Sequence, residues 1–340
     1  MVRLKDIALR AGVSVMTVSK VMRDASDISA ATKARVRQLA QQMGYMPDSV
    51  AQGLRTRTSR LFGLVISAAT NPIYARVVMA IEESAHEMNY DLLTAHSLNI
   101  PAREEAVIRR MLARRIDGLF VAPVYRLDPT AAIYEELARR NVPTVLLGHG
   151  APFCQGFPNV ETDDMTSSYS LTQHLLELGH RKIAFFTGPP VSPSAQERLE
   201  GYRKALREAQ IETDDKLIFN AGSTIEEGEK AALQMLDEAL NATAVQAVND
   251  PVAIGAATVF LNQGLRIPED LSIVGFGNVL TSEYFRVPLT TVRQPKLRLG
   301  VAAVESMLRL QRGEQPATKR LPAEIVIRKS SGPPPRRDRL

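Results

Sequence analysis

The ten residues Gly12-Val13-Ser14-Val15-Met16-Thr17-Val18-Ser19-Lys20-Val21 decide how the amino-terminal region folds. Before them, Leu4, Ile7, Ala8 and Ala11 fall at i, i+3, i+4 and i+7, which gives a short helix a single apolar face. Gly12 stops that helix, and Ser14 is placed to cap a second one by accepting from the free amides of its first turn. The second helix should run to about Met22, with Val18 and Val21 facing inward. Two short helices joined by three residues, the turn opening with Gly, form a helix-turn-helix unit, whose second helix enters the major groove of DNA. Val15 and Met16 lie round that helix from the inward pair, where a small unit has no core to cover them but thymine methyls would. Lys20, one turn beyond Met16, is within reach of a guanine edge or a phosphate. Taken alone, the pattern also fits a small helical hairpin with a solvated basic face.

The residues that follow turn the balance against that alternative. Ser29 is a second cap, and Val36, Leu39, Ala40 and Met43 form the apolar stripe of a third helix from Ala30 to Met43, which Gly44, Tyr45 and Met46-Pro47 end. The runs Lys5-Asp6-Ile7-Ala8, Gly12-Val13-Ser14, Thr17-Val18-Ser19, Gly44-Tyr45-x-Pro47 and Val50-Ala51-x-x-Leu54 occur in order, and in this the chain resembles the lactose-repressor (LacI/GalR) family of bacterial transcription regulators. The resemblance implies a head of residues 1–47 and a hinge of residues 48–60 that becomes helical on operator DNA. There, paired copies would wedge Leu54 into the minor groove. Val15, Met16, Lys20 and Leu54 are then the expected base readers, and Ser14, Thr17, Ser19, Ser29 and Thr32 the expected phosphate contacts.

Charge agrees with this division. Residues 1–60 hold 11 Lys and Arg against 4 Asp and Glu, and the other 280 hold 31 against 33. A positive field confined to the small unit favours phosphate contact through counterion release and predicts steep salt dependence. At 340 residues and 45% hydrophobic content, the chain has length for two or three domains and can bury real cores. It lacks a run of eighteen apolar residues and an apolar export stretch behind its charged start, so a cytoplasmic protein is expected. The single cysteine, Cys154, sits in an expected loop and cannot form an internal disulfide.

From Leu61 onward, short apolar strands alternate with amphipathic stretches. Strands are expected at 61–66, 91–95, 118–122 and 144–147, then at 183–186, 217–219, 245–248 and 272–275. Helices are expected near 73–88, 102–114, 130–140, 165–178, 195–209, 225–240 and 252–263. Continuous apolar strands with helical crossovers mean doubly wound parallel sheets covered on both faces, here in two sets, with ligands beyond the carboxyl ends of the strands. The fold class is therefore an all-α helix-turn-helix head joined to a two-lobed α/β sensor. The resemblance continues through Arg115-Ile116-Asp117-Gly118-Leu119, Gly179-His180-Arg181-Lys182, Asn249-Asp250 and Pro288-Leu289-Thr290-Thr291-Val292. It implies a periplasmic-binding-protein-like body over 61–327. Lobe 1 would hold about 61–163 and 293–323, lobe 2 about 164–292 and 324–327, and 328–340 would be a flexible basic tail.

The resemblance makes Arg198 the main hydrogen-bonding cation of the cleft, a guanidinium offering paired donors to hydroxyls or a carboxylate. Tyr74, His149, Ser192, Ser194, Asn249, Asp250 and Asn278 are the other expected effector groups. Many members of that family carry an acid where this chain has Gly148 and another where it has Gly277. Their loss is expected to enlarge the cleft and to favour a bulkier ligand, such as a di- or oligosaccharide or a glycoside, over a simple hexose.

Enzyme readings find little support. Gly275-Phe276-Gly277 lacks the third glycine of a nucleotide fingerprint, position 280 being Leu. The five histidines include no i, i+4 pair, so neither a metal site nor a cofactor is expected. The expected partners are double-stranded operator DNA, a small effector of carbohydrate type, and a second copy of the chain, as a homodimer or tetramer, with Val78 and Met79 at the interface. A purine-responsive co-repressor is the rival within this class, with Ser223 standing where its pocket would want an aromatic. A sugar-binding or sugar-converting protein with a basic helical arm is the rival outside it.

Overall fold

The computed structural model describes residues 2–46, 58–238 and 241–335, and these fall into two units divided at Ser59 and Arg60. The expected hinge residues up to 57, Leu54 among them, lie outside the described residues, as do the last five residues of the chain.

The described residues of the first unit form three helices, α1 (Leu4–Ala11), α2 (Val15–Met22) and α3 (Ala30–Gln42). Gly12 closes α1 in the left-handed conformation at φ 62°, with its N–H turned back to the carbonyls of α1. Ser14 then caps α2 by accepting from the Thr17 amide at 3.0 Å, and Ser29 caps α3 by accepting from Thr32 at 3.3 Å. Each such cap is worth about 1 kcal/mol. Ile7, Ala8, Ala11, Val18, Val21, Val36 and Ala40 form one small core.

The second unit is built on two six-stranded sheets. The first has the order β11-β5-β4-β3-β1-β2, from β1 (Leu61–Ile66), β2 (Asp91–His96), β3 (Gly118–Val121), β4 (Thr144–Leu147), β5 (Asn159–Thr162) and β11 (Lys319–Leu321), every pairing parallel. The second has the order β12-β10-β9-β8-β6-β7, from β6 (Ile183–Thr187), β7 (Ile218–Asn220), β8 (Ala244–Ala247), β9 (Ser272–Gly277), β10 (Thr290–Arg293) and β12 (Glu324–Val326). Only the β10–β12 pairing in it is antiparallel. Each sheet reverses its order once, at β1/β3 and at β6/β8, and such switch points open crevices at the carboxyl ends of the strands.

Helices cover both faces of each sheet. They are α4 (Pro72–Glu87), α5 (Pro101–Ala113), α6 (Ala132–Arg139), α7 (Asp164–Glu177), α8 (Pro193–Glu208), α9 (Ile225–Asp237), α10 (Asp250–Asn262), α11 (Leu280–Tyr284) and α12 (Lys296–Gln311). The apolar runs are continuous because both faces need them. In β1, Phe62, Leu64 and Ile66 face α4 and α12, while Val65 faces the core shared with α5 and α6. In β6, Ala184 and Phe186 face one core, Ile183 and Phe185 the other. The chain passes between the sheets three times: from β5 into α7, from β10 into α12, and from β11 into β12.

Two expectations need correction. The basic tail was expected to fray from residue 328, yet 328–335 lie as a strap against the second sheet. Ser330 is fully buried, accepts from the Thr290 amide at 2.8 Å and donates to the Ile273 carbonyl at 2.5 Å. Gly332 donates its N–H to Ser272 Oγ at 3.0 Å, and its carbonyl lies 2.8 Å from Nε2 of the buried His180. Small residues let the strap sit close, and its polar groups complete those left open along β9 and β10. The second correction is Asp250. It is completely buried, and its carboxylate accepts from the Val279 amide at 2.9 Å, Ser282 Oγ at 2.6 Å and Thr291 Oγ1 at 2.5 Å. It ties the start of α10 to the end of β9 and to β10, as an internal knot of the second lobe.

Candidate functional site

Two surfaces follow from this architecture. On the head, α2 divides by face. Val18 and Val21 have no exposure, whereas Val15 is 47% and Met16 64% exposed. An apolar pair left uncovered beside a cap is suited to the methyl-lined floor of a major groove. Ser14 and Thr17 hydroxyls lie 2.9 Å apart at the start of α2, and those of Ser29 and Thr32 also 2.9 Å apart at the start of α3. Each pair therefore sits at a helix amino terminus, where free amides and the helix dipole favour a phosphate. Ser19 is half-buried on α2, and its carbonyl accepts from Arg23 Nε at 3.0 Å. Lys20 departs from expectation: its ammonium is held by Asp27, and this pairing also draws the Asp27 carboxyl below its usual range.

The second surface is a cavity of about 150 Å³ at the carboxyl ends of β3, β4 and β5 and the start of α4, closed from the other side by the starts of α7 and α8. Ile73, Val77, Leu147, Val160 and Leu299 give it an apolar wall, with Tyr74 and Tyr125 beside them. Burial pushes the Tyr74 hydroxyl up to about 12, so it remains a neutral donor. The polar side is formed by His149, Glu161, Thr162, Asp164, Ser194, Arg198 and Gln294.

Arg198 is fixed in place. Its Nε and Nη2 both donate to Asp164 Oδ1, at 2.9 and 2.7 Å, and Nη1 donates to the Val248 carbonyl at 2.6 Å. The guanidinium carbon stacks 3.8 Å from the Phe276 ring centroid. Of five N–H donors, three are used and two remain for a ligand. Burial raises the Asp164 carboxyl, although Arg198 and His149 work against that rise.

Four of the expected effector groups, Tyr74, His149, Ser194 and Arg198, line this cavity, and the other four do not. Ser192 caps α8, accepting from the Ala195 amide. Asn249 caps α10 through Val252 at 2.8 Å and spends its amide on the Ser223 carbonyl at 3.0 Å. Asp250 is the buried knot already described. Asn278 accepts from Arg328 Nη2 at 2.8 Å, and its carbonyl accepts from Lys296 Nζ at 2.9 Å.

Gly148 and Gly277 have φ of +125° and +137°, a conformation in which an acid with its Cβ would be strained. The acids arrive instead from Glu161 on β5, Asp164 on α7 and Glu197 on α8, which surround His149 Nε2 at 4.0, 3.5 and 3.2 Å. The sequence reading missed all three. Glu161 lies in a short strand with no apolar run to mark it, Asp164 follows just after, and Glu197 precedes Arg198 on a helix of ordinary composition. At about 150 Å³ the cavity falls below the roughly 300 Å³ at which pockets for drug-sized ligands begin, so a bulky ligand requires the lobes to part.

Comparison with known proteins completes the description. Residues 3–48 match the family model described as bacterial regulatory proteins, lacI family, and residues 172–331 match a periplasmic binding protein-like domain. The chain is 33% identical over 309 residues to the HTH-type transcriptional repressor PurR of Vibrio atlanticus (strain LGP32), covering 91% of each chain. Among solved structures, it is similar to the Lac repressor dimer bound to operator and the anti-inducer ONPF, with a TM-score of 0.87, 31% identity, and coverage of 97% of this chain and 99% of that one. It is also similar to a complex of the transcriptional regulator CelR with cellobiose, with a TM-score of 0.74, 28% identity, and coverage of 97% and 100%. No helix among the described residues is long and apolar enough to cross a membrane.

Proposed function

The chain belongs to the lacI family of bacterial regulatory proteins, and from that premise we propose how its two surfaces share the work of a repressor. Such a protein binds operator DNA through its helix-turn-helix head and changes that binding when a small effector occupies its periplasmic-binding-like body. In this reading Val15 and Met16 meet base edges and Ser14, Thr17, Ser19, Ser29 and Thr32 hold phosphates. Lys20 joins them on leaving Asp27, and Leu54 of the hinge, outside the described residues, reads the operator centre. The operator is pseudo-palindromic and is read by a pair of chains.

The effector lies in the inter-lobe cavity and is a hydroxyl-rich molecule of carbohydrate type. The observation that carries this is Arg198: it is rigidly set by Asp164, Val248 and Phe276, and directs its spare donors into a cavity with one apolar wall. Its charge is already met by Asp164, so an anionic ligand gains no free cation there, whereas sugar hydroxyls need only donors and acceptors. His149, Ser194 and Tyr74 supply the rest. The cellobiose bound to CelR supports a carbohydrate, and in this chain a disaccharide would need a more open cleft than the present one.

A thermal-shift screen of the intact protein against monosaccharides, disaccharides, sugar acids and nucleobases tests the assignment, because a ligand that binds only the folded form raises Tm. Neutral sugars should shift the wild type and lose their effect in Arg198→Leu. A shift produced by nucleobases alone would transfer the cavity to a purine-type effector.

A further inference from the structure

Charged groups meet beside the cavity, which His149 and Asp164 line. From the first sheet come His149, just after β4, and Arg320 on β11. From the opposite lobe come Glu197 on α8 and Asp164 at the start of α7, and at the crossing Asp163 caps α7 while its amide donates to the Leu321 carbonyl of β11 at 2.8 Å. Glu197 spans the two cations: Oε1 accepts from Arg320 Nη2 at 2.8 Å, and Oε2 lies 3.2 Å from His149 Nε2. Asp164 Oδ2 is 3.5 Å from the same nitrogen, and Asp163 is 3.9 Å from Arg320. The His149 side chain is only 7% exposed. Its Nε2 and Glu197 Oε2 are both buried without an aligned hydrogen-bond partner among the described residues.

Three carboxylates, Glu161, Asp164 and Glu197, face the imidazole from three different elements. Arg198 beyond Asp164 and Arg320 beyond Glu161 and Glu197 are the cations behind them, and Tyr125 OH donates to the His149 carbonyl at 2.9 Å. With Asp163 beside Arg320, two arginines against four acids leave two negative charges, one of which a protonated imidazole meets. We propose that His149 and Glu197 form a proton-dependent latch that holds the two lobes together in the absence of effector, with Arg320 positioning Glu197.

Proton binding is favoured at this place: burial opposes the charge on His149, but Glu197, Asp164 and Glu161 together outweigh it and raise its pKa above the ordinary histidine value. Loss of that proton leaves Glu197 Oε2 facing a neutral ring and weakens closure. An effector hydroxyl, both donor and acceptor, replaces the latch by inserting between the two groups. Effector and latch thus compete for His149, the member of the pair that lines the cavity. This last point rests on the assignment of the cavity as the effector site, whereas the latch itself is tested without ligand, so the failure of one is distinguishable from the failure of the other.

The test places spin labels on opposite lobes of the full chain at the exposed positions Arg110→Cys and Gln234→Cys, diluted with unlabelled chain, Cys154 being buried. The cross-lobe distance should be short and narrowly distributed at about pH 6 and longer or broader at about pH 9, changing with the protonation of His149. The His149 ring proton, assigned in the NMR spectrum by its loss in His149→Gln, should titrate with the same midpoint. Glu197→Gln should lower that midpoint by roughly one pH unit or more and give the open distribution at both pH values. Arg320→Gln should loosen closure while keeping the pH step. An unchanged distance in the wild type, or a wild-type step persisting in Glu197→Gln, overturns the latch.

Discussion

Asp164 binds Arg198 through a single oxygen, Oδ1, which accepts from Nε at 2.9 Å and Nη2 at 2.7 Å, while Oδ2 turns toward His149. Both side chains are nine-tenths or more buried, so neither charge has water to fall back on. Removing one partner leaves the other uncompensated. Asp164→Asn and Arg198→Met should each lower the unfolding free energy by about 3–5 kcal/mol, with the double variant losing clearly less than the sum. Urea melts of the four proteins check this, and strict additivity would mean that the pair does not act as one unit.

On the head, the two faces of α2 should respond oppositely. Val18→Ala empties part of a fully buried core and should cost about 1–3 kcal/mol of stability. Met16→Ala touches a 64% exposed side chain and should leave the melt within about 0.5 kcal/mol, yet cost about 1 kcal/mol in operator affinity. Paired thermal melts and mobility-shift titrations separate the two effects. Equal destabilisation by both would show that Met16 belongs to the core.

Lys20 is held by Asp27, so Asp27→Asn should release it toward DNA. Binding to duplexes of random sequence should tighten, and the slope of log affinity against log salt should steepen by about one unit, the contribution of one further phosphate contact. An unchanged slope would mean that Lys20 never reaches the backbone.

The strap gives a pH prediction. Burial holds His180 and His174 below the ordinary histidine value, so both stay neutral in the native state where the unfolded chain already binds protons. Their stabilising share is intact above the unfolded value and is lost as pH falls through the folded one. His149 has the opposite sign, its share fading as pH rises. His180→Gln should therefore flatten the acid limb of the stability profile below about pH 6.5. An acid limb as steep as that of the wild type would show that His180 does not titrate across unfolding.

How far the sequence revealed all this depended on whether a residue's role was written in a local pattern. Ser14, Ser29 and Gly12 mark helix ends because caps and left-handed turns are made by neighbours along the chain, and the apolar strands from Leu61 to Gly277 mark sheets covered on both faces. β5, β11 and β12 carried no such mark. They are only three or four residues long and stabilised by pairing with distant strands, so the carboxylates of Glu161 in β5 and Asp164 just after it stayed hidden. Asn249 and Asp250 occupy a strand end, as effector groups do, but whether such a group turns to the cavity or inward is decided by Val279, Ser282 and Thr291, far along the chain. The strap at 328–335 reads as a basic, proline-rich tail, and only the open polar groups of β9 and β10 give it a seat. Arg198 was legible through resemblance alone, since a buried arginine and a surface one look alike on a helix.

The most direct test of the whole account joins the two surfaces. Duplexes selected from a random library by the intact protein should converge on a pseudo-palindromic site, whose affinity is then measured at fixed salt with and without a sugar that raises Tm. The account predicts a change of roughly tenfold or more on adding the sugar, and its disappearance in Arg198→Leu. Failure of the library to converge, or an affinity that the sugar leaves unmoved, would contradict it.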